Sequence, residues 1–243
     1  MKKIPIFLVF ALLLFLSNAK AAIIDFTGGT VYSNNGVIST TDLSAVYYNV
    51  DKYIESGFVL DFIEASSTGQ FSDDFTSIIG DYYEGAVPND VIHGHWATGS
   101  YGDLLEIRIY REDSELFDLN YFELTSNTDK GGAAASGNEM AYIRAFDSLN
   151  NQIGSEVLLP PDDWGWSGMN PQVYLGSAFD AVSYVSITPS NKIDCFGMDM
   201  FYIDEEAPPP HGAVPEPGGL LLMGTGILCL AAGTKIRKKI KNN

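Results

Sequence analysis

The chain has 243 residues, with 14 Lys and Arg against 31 Asp and Glu, for a formal charge of -17. A protein that neutralises nucleic-acid phosphates needs a basic face, so this balance excludes a general nucleic-acid binder. With 46% hydrophobic and 12% aromatic residues the chain has ample material for a packed core, which excludes a chain that is disordered throughout.

Lys2 and Lys3 precede the run Ile4 to Leu16, apolar apart from Pro5, and Ser17-Asn18-Ala19-Lys20-Ala21 follows with small residues at Ala19 and Ala21. This order of charge, apolar stretch and small residues predicts a secretory signal peptide over 1–21, cut by signal peptidase after Ala21. The apolar run spans about 20 Å as a helix, short of the roughly 30 Å of a bilayer core, so it does not read as a retained anchor.

Residues 22–206 predict one all-β domain. Six bases face thirty acids there, a net charge of -24. Apolar residues recur with period two: Leu105, Ile107 and Ile109 alternate with Glu106, Arg108 and Tyr110; Ala141, Ile143 and Ala145 with Tyr142, Arg144 and Phe146; Val185 and Ile187 with Ser186 and Thr188. Such alternation gives each strand a buried and an exposed face. Further strands are predicted at 23–26, 30–32, 36–39, 45–50, 56–64, 117–125, 152–158, 173–176 and 196–203. Asp147 to Asn151 reads as a hairpin loop, and Asp129 to Asn138 as a Gly/Ala/Ser connection. The spacing of turns favours an antiparallel β-sandwich or jelly roll of roughly eight to ten strands.

Within this body, His93-Gly94-His95 sets two imidazoles on one face of an extended segment, a spacing that suits a transition metal or a structural role at a strand end. Neighbouring sequence offers no third imidazole or thiol, so a metal there would call on Asp90 or Asp103. Trp96, Trp164 and Trp166 are candidates for stacking on sugar rings. Trp164 and Trp166, in the acid-flanked loop Pro160 to Gly168, are the most ligand-like pair, with capping of the sandwich core as the alternative. Cys195 reads as a buried thiol just before the last strand. Catalysis finds no support in a Gly-x-Ser-x-Gly elbow, a His-Glu-x-x-His helix or a phosphate-binding Gly-rich loop, and the expectation is a non-enzymatic protein.

Ala207 to Ala213 is a Pro-rich linker, stiff and extended. Val214-Pro215-Glu216-Pro217 follows, then the uncharged residues 218–234, long enough for a transmembrane helix, then a basic tail over 235–241 containing Lys235, Arg237, Lys238 and Lys239. Positive charge stays on the cytoplasmic side, so the body faces outward. The segment 214–241 resembles the PEP-CTERM sorting signal, in which Pro215, Glu216 and Pro217 would be the recognition motif ahead of one span and a basic cluster. That resemblance implies an exosortase as partner, membrane attachment through the C-terminal helix before processing, and delivery to the cell surface or extracellular matrix of an exopolysaccharide-producing Gram-negative bacterium.

The body more loosely resembles β-sandwich domains related in outline to carbohydrate-binding modules, through Phe117-Asp118-Leu119, Ala141 to Leu159 and Phe196 to Asp204. Sandwiches of that type commonly carry a structural Ca²⁺ between first and last strands, which would implicate Asp25 and Asp199 here, although no Asp-x-Asp-x-Asp-Gly loop is present. The combined expectation is a secreted or surface protein of the exopolysaccharide matrix that binds carbohydrate. The alternatives are a glycoside hydrolase or lyase on the same scaffold and a purely structural matrix protein.

Overall fold

A computed structural model describes residues 21–42, 45–65, 77–80, 92–99, 102–129, 133–134, 140–160, 170–189 and 193–211. The chain divides into two compact units, Met1–Ala207 and Pro208–Asn243. The first is all-β, two antiparallel sheets with a single 3-10 turn, Ser177–Phe179, as the helical element among the described residues.

One sheet is organised by two long antiparallel strands, β9 (Leu119–Asp129) and β15 (Ile193–Ile203). The far edge of β9 carries β10 (Ala133–Ala134) and β13 (Gln172–Tyr174). The far edge of β15 carries β7 (Ile92–His95), with β6 (Ser77–Ile79) beyond it, and separately β1 (Ala22–Ile24). The second sheet runs β12 (Gln152–Leu158), β11 (Ala141–Phe146), β14 (Tyr184–Pro189), β8 (Leu104–Arg111), β5 (Phe58–Glu64), β4 (Val50–Glu55), β2 (Thr30–Ser33) and β3 (Ile38–Thr40).

Local chemistry accounts for much of this. The expected alternation is realised in β11 and in the second half of β8, where Ala141, Ile143, Ala145, Ile107 and Ile109 are fully buried while their neighbours stay half-buried; at the start of β8 Leu104 is buried and Leu105, expected on the buried face, is exposed. Ser56 and Gly57 both adopt positive φ, 54° and 85°, the left-handed pair that matches strand twist between β4 and β5. In the β11–β12 hairpin, Asp147 Oδ1 accepts hydrogen bonds from the amides of Leu149 (2.9 Å) and Asn151 (2.8 Å).

Several sequence expectations are corrected. Fifteen strands are present among the described residues where roughly eight to ten were expected, and one of them, β10, lies inside the connection expected at 129–138. The strand expected at 45–50 begins only at Val50, because Asn49 has φ 55° and breaks the extended run; Tyr47 makes an isolated bridge to Ile79 instead. Cys195 lies within the last strand rather than before it. Trp96 is fully buried and stacks on Phe196, 4.8 Å between centroids, so it belongs to the core and offers no face to a sugar.

The core between the sheets is aromatic at its centre. Phe201 stacks on Phe122 at 5.3 Å and meets Phe26 edge-on at 6.1 Å. At one end the sheets are tied by Arg111, which closes β8 and donates from Nη1 to Oδ2 of Asp204 just past β15 (3.2 Å); both side chains are nearly buried. Replacing Phe201 by Ala deletes a ring with contacts on both sides, and we expect a loss of about 3–5 kcal/mol. Thermal unfolding should then show Tm falling by on the order of 10 °C.

Candidate functional site

The first and last strands lie side by side, with Ile24 opposite Phe201, and this brings Asp25 toward Asp199 at the point where β15 changes partner from β7 to β1. Met200, at φ 55°, marks the bulge there. Register places Glu123 of β9 directly across from Asp199, and Glu55 at the end of β4 reaches in from the second sheet, accepting from the Phe26 amide (3.1 Å) and the Tyr53 hydroxyl (2.7 Å). Asp199 is 4% exposed, and its Oδ1 accepts from the Met200 amide at 2.7 Å. Burial, reinforced by the charges of Glu123, Asp25 and Glu55 against the Met200 hydrogen bond, pushes Asp199 up to about 8. Burial and the charge of Asp25 likewise push Glu55 up to about 7, against the Tyr53 hydrogen bond. The sequence named Asp25 and Asp199; Glu55 and Glu123 join them only through sheet register.

A second patch lies on the outer face of the second sheet. Tyr110, Tyr184 and Phe146 stand in register on β8, β14 and β11. Phe146 and Tyr184 stack at 4.6 Å, nearly parallel. The next row holds Asp61, Arg108, Ser186 and Arg144. Arg108, donating to both oxygens of Glu106 at 3.1 and 3.0 Å, lays its guanidinium 4.9 Å from the Tyr184 ring centre. A groove of about 280 Å³ opens here, lined by Asp61, Arg108, Tyr110, Arg111, Asn150 and Tyr184 among others. Two of the six bases of the body therefore face one groove. Arg108, Tyr110, Arg144 and Phe146 occupied the exposed phase of the alternating pattern in the sequence, but nothing linear showed that they would align with Tyr184 and Asp61.

A third grouping joins His93 and His95 of β7 to Cys195 of β15, all buried, with ligand atoms within 4.8 Å of one another. Burial opposes ionisation of the Cys195 thiol, but the two histidines outweigh it by charge and hydrogen bonding and draw its pKa down. The acids around Asp199 form no comparably tight group among the described residues.

Trp164 and Trp166, the sorting residues Pro215, Glu216 and Pro217, the basic residues Lys235, Arg237, Lys238 and Lys239, and the expected signal peptide and membrane span lie outside the described residues. Among the described residues no helix is long and apolar enough to cross a membrane.

Residues 213–238 match the PEP-CTERM protein-sorting motif, a segment that includes Pro215, Glu216, Pro217, Lys235, Arg237 and Lys238. The chain therefore carries the signal of an exported protein that exosortase processes and sorts to the cell surface. No curated protein matches the chain. Among solved structures, it is similar to a DUF4465 family protein from Bacteroides caccae, at 14% identity and a TM-score of 0.33, over 63% of this chain and 76% of that one.

The acid cluster generates a pH dependence. A carboxyl raised in the folded state holds its proton where the unfolded chain has lost it, so stability is fully present below about pH 4 and declines as pH rises through about 8. We expect Tm to fall between about pH 5 and pH 8.5. With Ca²⁺ removed by a chelator, Asp199→Asn, which cannot ionise, should flatten that profile and raise Tm by a few degrees at the alkaline end, as read by calorimetry across pH.

Proposed function

We propose that the exported body is a non-enzymatic carbohydrate-binding component of the exopolysaccharide matrix, engaging a glycan in the groove of the second sheet. One observation carries this reading: Tyr110, Tyr184 and Phe146 are aligned on the outer face, with Arg108 laid over Tyr184, in a protein bearing a surface-sorting signal. Aromatic planes take the apolar C–H faces of sugar rings, and Arg108 supplies donors to hydroxyl or carboxylate groups. The body otherwise carries a net charge of -24 and repels anionic polymers. An acidic polysaccharide is therefore met at the arginine-lined groove or through bridging divalent cations.

A structural Ca²⁺ between the first and last strands belongs to the same reading, held by Asp25 and Asp199. Its support is geometric: like charges directly opposed across a sheet weaken pairing, and Glu123 opposes Asp199. Before processing, the segment 218–234 anchors the protein in the membrane with its basic tail in the cytoplasm.

On immobilised exopolysaccharide from the native host, the protein should be retained without turnover, and Tyr184→Ala should weaken retention about tenfold. With an acidic polysaccharide, retention should weaken when a chelator removes Ca²⁺. Cleavage of the glycan, abolished by acid-to-amide replacement, would replace this reading with a carbohydrate-active enzyme; no retention with or without Ca²⁺ would leave a structural matrix protein. For the sorting step, Glu216→Ala or removal of residues 235–243 should leave an unprocessed, larger form in the membrane fraction, followed by immunoblot. Normal processing of both variants would remove Glu216 and the tail from the recognition element.

A further inference from the structure

β7 and β15 are buried on both faces. Ile92 and Trp96 from one strand region and Phe196 and Met198 from the other enter the core between the sheets, so by alternation His93, His95 and Cys195 project from the opposite face. There they are still 0%, 6% and 2% exposed. Sheet pairing sets Cys195 across from His95 and Gly197 across from His93. The glycine leaves room in which the three side chains turn toward one another. The imidazoles meet edge to face, 4.9 Å between centroids, and the two ring donors and the sulfur all lie within 4.8 Å of each other.

We propose that His93, His95 and Cys195 form a structural transition-metal site of the kind that holds Zn²⁺. Two imidazole nitrogens and one sulfur are a borderline-soft donor set, which suits Zn²⁺ and excludes the hard cations Ca²⁺ and Mg²⁺. With bonds of about 2.0–2.3 Å, tetrahedral ligands stand roughly 3.3–3.8 Å apart. The most widely separated donors need to close by about 1–1.5 Å, a shift within the range of side-chain torsions.

The surrounding backbone is fixed. The Trp96 amide donates to the Asp194 carbonyl (2.8 Å) and the Thr98 hydroxyl to the Ile193 carbonyl (3.0 Å), continuing the pairing of the two chains beyond the His95–Cys195 pair. Gly94 and Gly102 allow close packing at this point: a Cβ on Gly94 would sit 2.6 Å from the Leu104 side chain, and one on Gly102 would fall 2.0 Å from the His95 carbonyl oxygen. The glycine between the two histidines therefore lets β7 lie against the core while both imidazoles point the other way.

Burial separates this reading from a catalytic thiol. At 2% exposure Cys195 is out of reach of a substrate, whereas a structural metal site is closed by nature. Three protein donors converge among the described residues, leaving one position of a tetrahedron for a further ligand.

The test uses the full chain in detergent, reduced and stripped with a chelator, then titrated with Co²⁺ alone and with Zn²⁺ alone. The expected result is a single Co²⁺ giving a thiolate-to-cobalt charge-transfer band in the near ultraviolet and strong tetrahedral ligand-field bands, both displaced by Zn²⁺. Cys195→Ser should abolish the charge-transfer band. His95→Gln should weaken binding by about 10–100-fold, and His211→Gln, at a residue outside the group, should change nothing. Circular dichroism establishes that each sample is folded. A folded wild-type protein showing only the weak spectrum of octahedral Co²⁺ overturns the proposal without recourse to any variant. Binding undiminished in Cys195→Ser and His95→Gln, or lost in His211→Gln, overturns it equally.

Discussion

The last strand of the body is the constraint on which the remainder depends. β15 runs through the middle of its sheet, pairs along its length with β9, and on its other edge is shared between β7 and β1. One strand thus holds partners drawn from the beginning, the middle and the second half of the body. The change of partner requires an interruption, and the bulge at Met200 supplies it. A bulge re-aims the side chain beside it, and here that side chain is Asp199, placed where carboxylates from three other strand regions gather.

This arrangement explains why the chemistry of the first sheet is concentrated along β15. Upstream of the bulge its outer face carries Cys195 against β7; at the bulge it carries Asp199 against β9 and the chain leaving β1. Both groups are buried. The second sheet follows a different plan. Its strands keep one wet face, and the groups on it, Tyr110, Tyr184, Phe146, Arg108 and Asp61, combine through alignment of neighbouring strands rather than through burial.

What the sequence made legible follows from the same distinction. Strands with one wet face announce themselves by alternation, as β11 does throughout and β8 does from Ile107 to Tyr110; Leu105 and Ser186 depart from it, the first exposed and the second buried. β6 and β7 are buried at every described position, carry no alternation, and include histidine and glycine, so periodicity is silent about them. The strand expected at 45–50 shifted because a single left-handed residue, Asn49, outweighed a run of β-favouring side chains. Asp25 and Asp199 were named only through a resemblance. Glu55 and Glu123 were not named at all, since cross-strand register is not written in linear spacing. Cys195 stands one hundred residues from His95 in the chain, and no spacing rule joins them. The C-terminal signal was readable because its recognition depends on linear order and composition, not on folding.

The position of β15 also bears on the order of events during export. The sheet cannot close until residues 193–203 have emerged, because β1, β7 and β9 all lack their common partner before then. Such long-range pairing is slow, and unpaired edges remain exposed in the interval. The sorting motif begins at residue 213, only ten residues after the end of β15. The segment that carries the sorting signal therefore emerges only after β15, so the signal is presented by a chain in which the common partner of β1, β7 and β9 is already available.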